Sequence, residues 1–119
     1  MGELVRNVKY VPPLIYMILI FYLSSIPLQF PQIVDIIDPS KFMLHVIEYL
    51  ILGLLMMNAS GNEKFSFVVS SLYGLSDEIH QCFVPFRYFS IFDLLGDCIG
   101  SVIGVMLYPK FKHWMRKLR

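Results

Sequence analysis

Val11–Phe30 reads VPPLIYMILIFYLSSIPLQF and carries no charged residue. A helix crossing a bilayer needs about 20 mainly apolar residues, so this stretch is read as a membrane span and sets the class of the fold. Pro12 and Pro13 fall in its first turn, where proline is tolerated; Pro27 and Pro31 mark its end. Arg6 and Lys9 before it also suit the basic start of a signal peptide, but no A-x-A-like site follows and the apolar run is long, so the segment is expected to remain as an anchor.

Working outward, three further apolar stretches are expected to span: 41–58, 65–86 and 90–108. Ser40 can cap the second helix, and Ser90-Ile91-Phe92-Asp93 reads as a capped start for the fourth. The connections are short, which favours antiparallel neighbours. The expectation is one all-α domain over residues 1–119, with four transmembrane helices in a compact antiparallel bundle.

Composition agrees. The chain has 119 residues, 56% hydrophobic and only 16% charged, with a net charge of +1. An ordinary soluble domain is about 25% charged, and a near-neutral chain does not suit a nucleic-acid module. Two cysteines, Cys82 and Cys98, make neither a disulfide framework nor a CxxC motif. They read as small apolar residues in helices.

Orientation follows from the cations. Arg6 and Lys9 precede the first span, Lys64 separates the second and third, and Lys110, Lys112, Arg116, Lys117 and Arg119 follow the fourth. With four spans these all fall on one side, which the positive-inside rule makes cytoplasmic, together with both termini. The basic tail reads as a topology signal lying on anionic lipid. Lys41 and Arg87 alone fall on the outer side.

Five of the nine acidic residues lie inside the expected spans: Glu48, Asp77, Glu78, Asp93 and Asp97. Each costs roughly 2.5–3.5 kcal/mol at a bilayer centre on insertion scales, and such residues face a bundle interior and carry function. At 1.5 Å per residue, Glu48 lies about 10 Å below Lys41, Asp97 about 10 Å below Ser90, and Asp77 about 13 Å below Phe86. Three helices therefore place their ionisable groups in one outer layer. His45, Glu48 and Tyr49 share a helical face, as do Ser70, Gly74, Asp77 and Gln81, with Glu78 and His80 at the edges. Asp93, Asp97, Gly100 and Gly104 form a third stripe. Gly96, Gly100 and Gly104 give small-xxx-small spacing, suited to close packing and to an oligomer contact.

This layer allows several chemistries. His45, His80 and the carboxylates could ligate Zn²⁺ or another divalent cation, although no HExxH signature is present. Crowded carboxylates in low dielectric cannot all ionise cheaply, and a histidine beside them could hold or move a proton. That suits a hydrolase-like centre or a proton-linked transporter. Ser24, Ser25, Ser76 and Ser90 lack a GxSxG elbow and read as capping or backbone-bonding residues. Arg87 could bind a lipid phosphate through its rigid fork, or pair with a buried carboxylate. A polar layer that only fixes helix register needs no substrate at all.

The same residues carry a resemblance. Ser76-Asp77-Glu78-Ile79-His80-Gln81, then Val84-Pro85-Phe86-Arg87, then Ser90-Ile91-Phe92-Asp93 and Gly100 resemble the signature of the VanZ-like family of bacterial membrane proteins. Lys41, His45, Glu48, Tyr49 and Gly53 resemble its second-helix motif, and Leu23-Ser24-Ser25 with Pro27 the end of its first helix. Phe86 departs from the pattern, standing where glycine is usual between Pro85 and Arg87. The resemblance implies a multi-pass protein of the bacterial plasma membrane, in a family whose namesake is associated with teicoplanin tolerance. The expected site takes Glu78 and His80 as an acid–base pair, with Asp77, Asp93 and Asp97 organising it. His45 and Glu48 close it, Tyr49 and Gln81 are counted with them among the ligand-binding residues, and Arg87 recognises an anion. The expected partners are membrane lipids or a lipid-linked envelope precursor, with no nucleic acid. No organic cofactor is expected. The alternatives are a non-enzymatic interaction module and a metal or proton transporter.

Overall fold

The computed structural model describes residues 2–25, 42–84 and 90–118, and all the secondary structure in them is helical. A short α1 (Gly2–Val8) leads into α2 (Val11–Ser25), followed by α3 (Phe42–Ser60), α4 (Glu63–Gln81) and α5 (Ile91–Lys117). The end of the first expected span, and Ser40, lie outside the described residues.

The turn between α3 and α4 is two residues long because each has the right chemistry. Gly61 sits at φ +67°, a left-handed setting that glycine adopts without strain, and its N–H closes the end of α3 on the Met57 carbonyl at 2.9 Å. Asn62 then caps α4, its side-chain oxygen accepting from the Phe65 N–H at 2.9 Å. Ser90 starts α5 as its sequence signature suggests, accepting from the Asp93 N–H.

Contacts fix the directions. Gly96 lies against Phe42, Gly100 against Val46 and Gly104 against Leu50, so α3 and α5 run parallel. Glu78 on α4 meets Ser90, and Lys64 on α4 shares a depression with Val102 and Val105, so α4 runs antiparallel to α5. The Tyr73 hydroxyl donates to the Met17 carbonyl, and His80 meets Ser25, so α2 runs parallel to α4. The Tyr16 hydroxyl donates to the Glu48 carbonyl at 2.8 Å, tying α2 to α3. Neighbours in the chain thus alternate in direction. Ile20, Tyr49, Leu52 and Met56 form the apolar core between α2 and α3, flanked by Val69 and Tyr73 of α4.

The interior is more polar than the surface. Among the described residues ten polar or charged side chains are buried against eight apolar ones, while thirty large apolar side chains are exposed. A water-soluble domain buries its apolar side chains instead. The inversion is sharpest in α4: Phe65, Val68, Leu72, Leu75 and Ile79 face outward, and Ser66, Ser70, Asp77, Glu78 and Gln81 face inward. Such a helix suits an apolar solvent. The chain is a membrane protein.

Three details add to the sequence reading. Three helical stretches are long and apolar enough to span, Gly2–Ser25, Phe42–Ser60 and Ile91–Lys117. The stretch expected over 65–86 forms α4, helical to Gln81, and its polar inner face lowers its average apolarity below theirs. The stretch expected to end at Tyr108 instead continues through Pro109 to Lys117; the ring removes one backbone donor and the rest of the ladder holds. Finally, Gly96, Gly100 and Gly104 pack on α3 of the same chain. A methyl group on Gly100 would sit 2.2 Å from the Val46 carbonyl oxygen, and one on Gly104 2.2 Å from that of Leu50.

Candidate functional site

The polar centre lies where the first turns of α3 and α5 meet the last turns of α4. Backbone contact through glycine brings α3 and α5 close enough for short side chains to touch. His45 Nδ1 is 2.6 Å from Asp97 Oδ1, a charge-assisted hydrogen-bond distance. The same Nδ1 is 3.8 Å from Glu78 Oε1, and His45 Nε2 is 3.6 Å from Asp93 Oδ2. One imidazole therefore faces three carboxylates drawn from two helices. Glu78 and Asp97 are both fully buried, and His45 is 7% exposed.

Local structure explains the placement. Asp93 lies in the first turn of α5, where backbone N–H groups favour an anion. Glu78 Oε2 accepts from the Ser90 N–H at 3.3 Å, joining the end of α4 to the start of α5. Asp97 lies one turn further in, and the Ser101 hydroxyl donates to its carbonyl at 2.8 Å. Gly74 makes room for it: a methyl group there would come 2.9 Å from Asp97 Oδ2. Sequence reasoning placed Gly74 on the right stripe of α4 without a role; its four-residue spacing from Glu78 was the available signal.

The centre is rich in acceptors and not closed. Among the described residues Glu78 Oε1, Asp97 Oδ2 and the Tyr49 hydroxyl are buried without a hydrogen-bond partner. Buried polar groups are nearly always satisfied. His45, Glu78 and Asp97 each offer a ligand atom within 4.8 Å of the others. The cluster has the donor types to hold a divalent cation and, in the His45–Asp97 bond, a path for moving a proton.

The remaining candidates divide. Asp77 and Gln81 are buried on the inner face of α4. Tyr49 is fully buried, one turn from His45, with its ring 6.5 Å from that of Tyr73. Glu48 is half-buried, and its backbone carbonyl accepts from Tyr16 of α2. His80 is not brought to Glu78. Residues two apart on a helix face different ways, and His80 turns toward α2, 2.8 Å from Ser25 Oγ and stacked on Phe21 with ring centroids 4.2 Å apart. The imidazole beside Glu78 is that of His45. The Ser25 contact had no sequence signal beyond the Ser24-Ser25 pair. Arg87 and Lys41 lie outside the described residues. Cys82 and Cys98 are free thiols, the first exposed and the second half-buried.

The family model described as VanZ/LLP1 matches residues 13–113, a range holding every residue of the polar centre. No curated protein matches the chain, and no solved structure does.

Proposed function

This chain belongs to the VanZ-like family, and from that premise we propose that it is a plasma-membrane protein of the bacterial envelope that binds or modifies a lipid-linked headgroup ligand at its polar centre, whose hydrogen-bond donors or bound cation would meet the free carboxylate oxygens. The observation that carries this reading is the pair of fully buried carboxylates, Glu78 and Asp97, that each keep an oxygen without a hydrogen-bond partner among the described residues. A purely structural network would be expected to use those oxygens, because an unmet buried acceptor costs about 1–3 kcal/mol. By the positive-inside rule this centre belongs to the outer half of the membrane, where envelope precursors are exposed. In this reading His45 and Glu78 form the acid–base pair, and Asp93 and Asp97 hold the imidazole; the family resemblance adds Arg87 as the group that recognises a phosphate of the ligand.

Susceptibility to teicoplanin and vancomycin tests it, in a bacterial host carrying wild type, Glu78→Gln, Arg87→Ala or empty vector at matched membrane levels. Wild type alone should raise teicoplanin tolerance. An equal response in all four strains would remove the drug link.

A second reading is a non-enzymatic membrane module. The bond from the Ser90 N–H to Glu78 favours it, because there the carboxylate clamps two helices. It requires Glu78→Gln to lose stability and phenotype together. A stable, normally inserted and inactive Glu78→Gln protein would exclude it.

A further inference from the structure

We infer that His45, Glu78 and Asp97 form a binding site for one divalent transition-metal ion of the Zn²⁺ class. The inference deepens the proposed headgroup reading and rests on it only for the purpose the metal would serve.

The donor set selects the metal class. One imidazole nitrogen with two carboxylate oxygens suits zinc and its first-row neighbours, whereas Ca²⁺ takes six to eight oxygens and Mg²⁺ keeps most of its water. Three protein ligands with one position left over is the pattern of a zinc site that accepts water or substrate. The donors come from three helices, His45 from α3, Glu78 from α4 and Asp97 from α5, which the fold already brings within 4.8 Å of one another.

The distances fit. Zinc bonds of about 2.0–2.1 Å in a tetrahedron put donor atoms about 3.3 Å apart. The three ligand atoms lie within 4.8 Å of one another, with the His45–Asp97 pair at 2.6 Å and the His45–Glu78 pair at 3.8 Å. The spread brackets the tetrahedral value. Replacing the proton shared by His45 Nδ1 and Asp97 Oδ1 with a cation opens that pair by about 0.7 Å and draws Glu78 in by a similar amount. Glu78 Oε1 independently points to a ligand. It belongs to a fully buried side chain, is aimed at the His45 ring, and has no hydrogen-bond partner among the described residues. A divalent ion would also balance two carboxylates where the dielectric is low, and its free position could take a phosphate oxygen.

The test uses the full-length protein, tag removed, in detergent, loaded with Co²⁺ and separately with Zn²⁺. Wild type should bind about one equivalent and give the visible d–d absorption of four-coordinate Co²⁺. Glu78→Gln and Asp97→Asn, each close to isosteric, should lower affinity at least tenfold against a chromophoric chelator. His113→Gln, in the exposed tail of α5, should bind as wild type does and guards against stray coordination. Wild type that binds no stoichiometric Co²⁺ overturns the inference without reference to any variant. Equal affinity in wild type, Glu78→Gln and Asp97→Asn overturns it too. Metal binding with no teicoplanin effect would remove the drug link and leave the metal site. A Glu78-dependent drug effect without metal binding would do the reverse.

Discussion

His45 on α3 meets Asp97 on α5 at 2.6 Å across an interface that further down is nearly bare backbone. Parallel helices that touch through Gly96, Gly100 and Gly104 bring the two side chains within reach, and the bond joins the open ends of both helices. Hydrogen bonds inside membrane proteins average only about 0.6 kcal/mol by double-mutant cycle, with a maximum near 1.7. Because both groups are buried here, His45→Ala and Asp97→Ala should show a coupling energy toward the upper end, about 1–1.7 kcal/mol. Unfolding in mixed micelles measures it. Additive losses would mean that the contact contributes nothing to stability.

The glycine stripe makes a sharper prediction. Gly100→Ala and Gly104→Ala each push a methyl group to 2.2 Å from a carbonyl oxygen of α3, which is rigid backbone. The helices must separate, at a cost of about 1–3 kcal/mol. Gly2→Ala meets nothing within 4 Å and should be tolerated. The loss should appear in the stability of the single chain, and cross-linking should detect no change in association. A Gly100→Ala protein as stable as wild type would mean that α3 and α5 do not pack this closely.

Much of this arrangement is legible in the sequence, and the exceptions share a cause. The charge-free run beginning at Val11, the Ser90 cap and the common depth of His45, Glu78, Asp93 and Asp97 follow from local chemistry and helix rise. What a given face of a helix meets does not. Glu78 and His80 are neighbours in a motif, yet they point to different partners, because only tertiary packing decides that α5 lies on one side of α4 and α2 on the other. The glycine spacing predicts close packing and leaves the partner open, which is why a second copy and α3 look alike from the sequence. The average apolarity of α4 hides its division into a lipid-like outer face and a polar inner one. The fourth span is read to end at Tyr108, and the helix continues through Pro109 into the basic and aromatic residues after it.

His80 offers a test of that division. Its contact with Ser25 joins α2 to α4 and shares no partner with the Glu78 carboxylate. Ser25→Ala should cost about 0.5–1.5 kcal/mol, the net worth of a typical hydrogen bond. It should leave the coupling between His45 and Asp97 unaltered, since separated sites without shared partners act additively. A triple-mutant comparison in the same micelle assay checks both statements. A change in the His45–Asp97 coupling would show that the α2 contact and the polar centre are linked.

Orientation gives the last prediction. The Gly61–Asn62 turn and the later part of α5 lie at the same end of the molecule, since the Tyr108 hydroxyl donates to the Asn58 side chain at 3.0 Å and Lys64 lies close to Val102 and Val105. That end carries Lys64, Lys110, Lys112, Arg116 and Lys117. The positive-inside rule predicts that it faces the cytoplasm. α5 has 27 residues and measures about 40 Å, more than the roughly 30 Å hydrocarbon core. Its exposed basic end, with Phe111, Trp114 and Met115, therefore emerges into the interface. In a background with Cys82→Ser and Cys98→Ala, single cysteines at Asn62 and Lys117 should both resist a membrane-impermeant maleimide in intact cells and both react in inverted vesicles. Labelling of the two in intact cells would put the polar centre on the cytoplasmic side and remove the outer-leaflet headgroup reading. Labelling of one alone would contradict the alternation of helix directions.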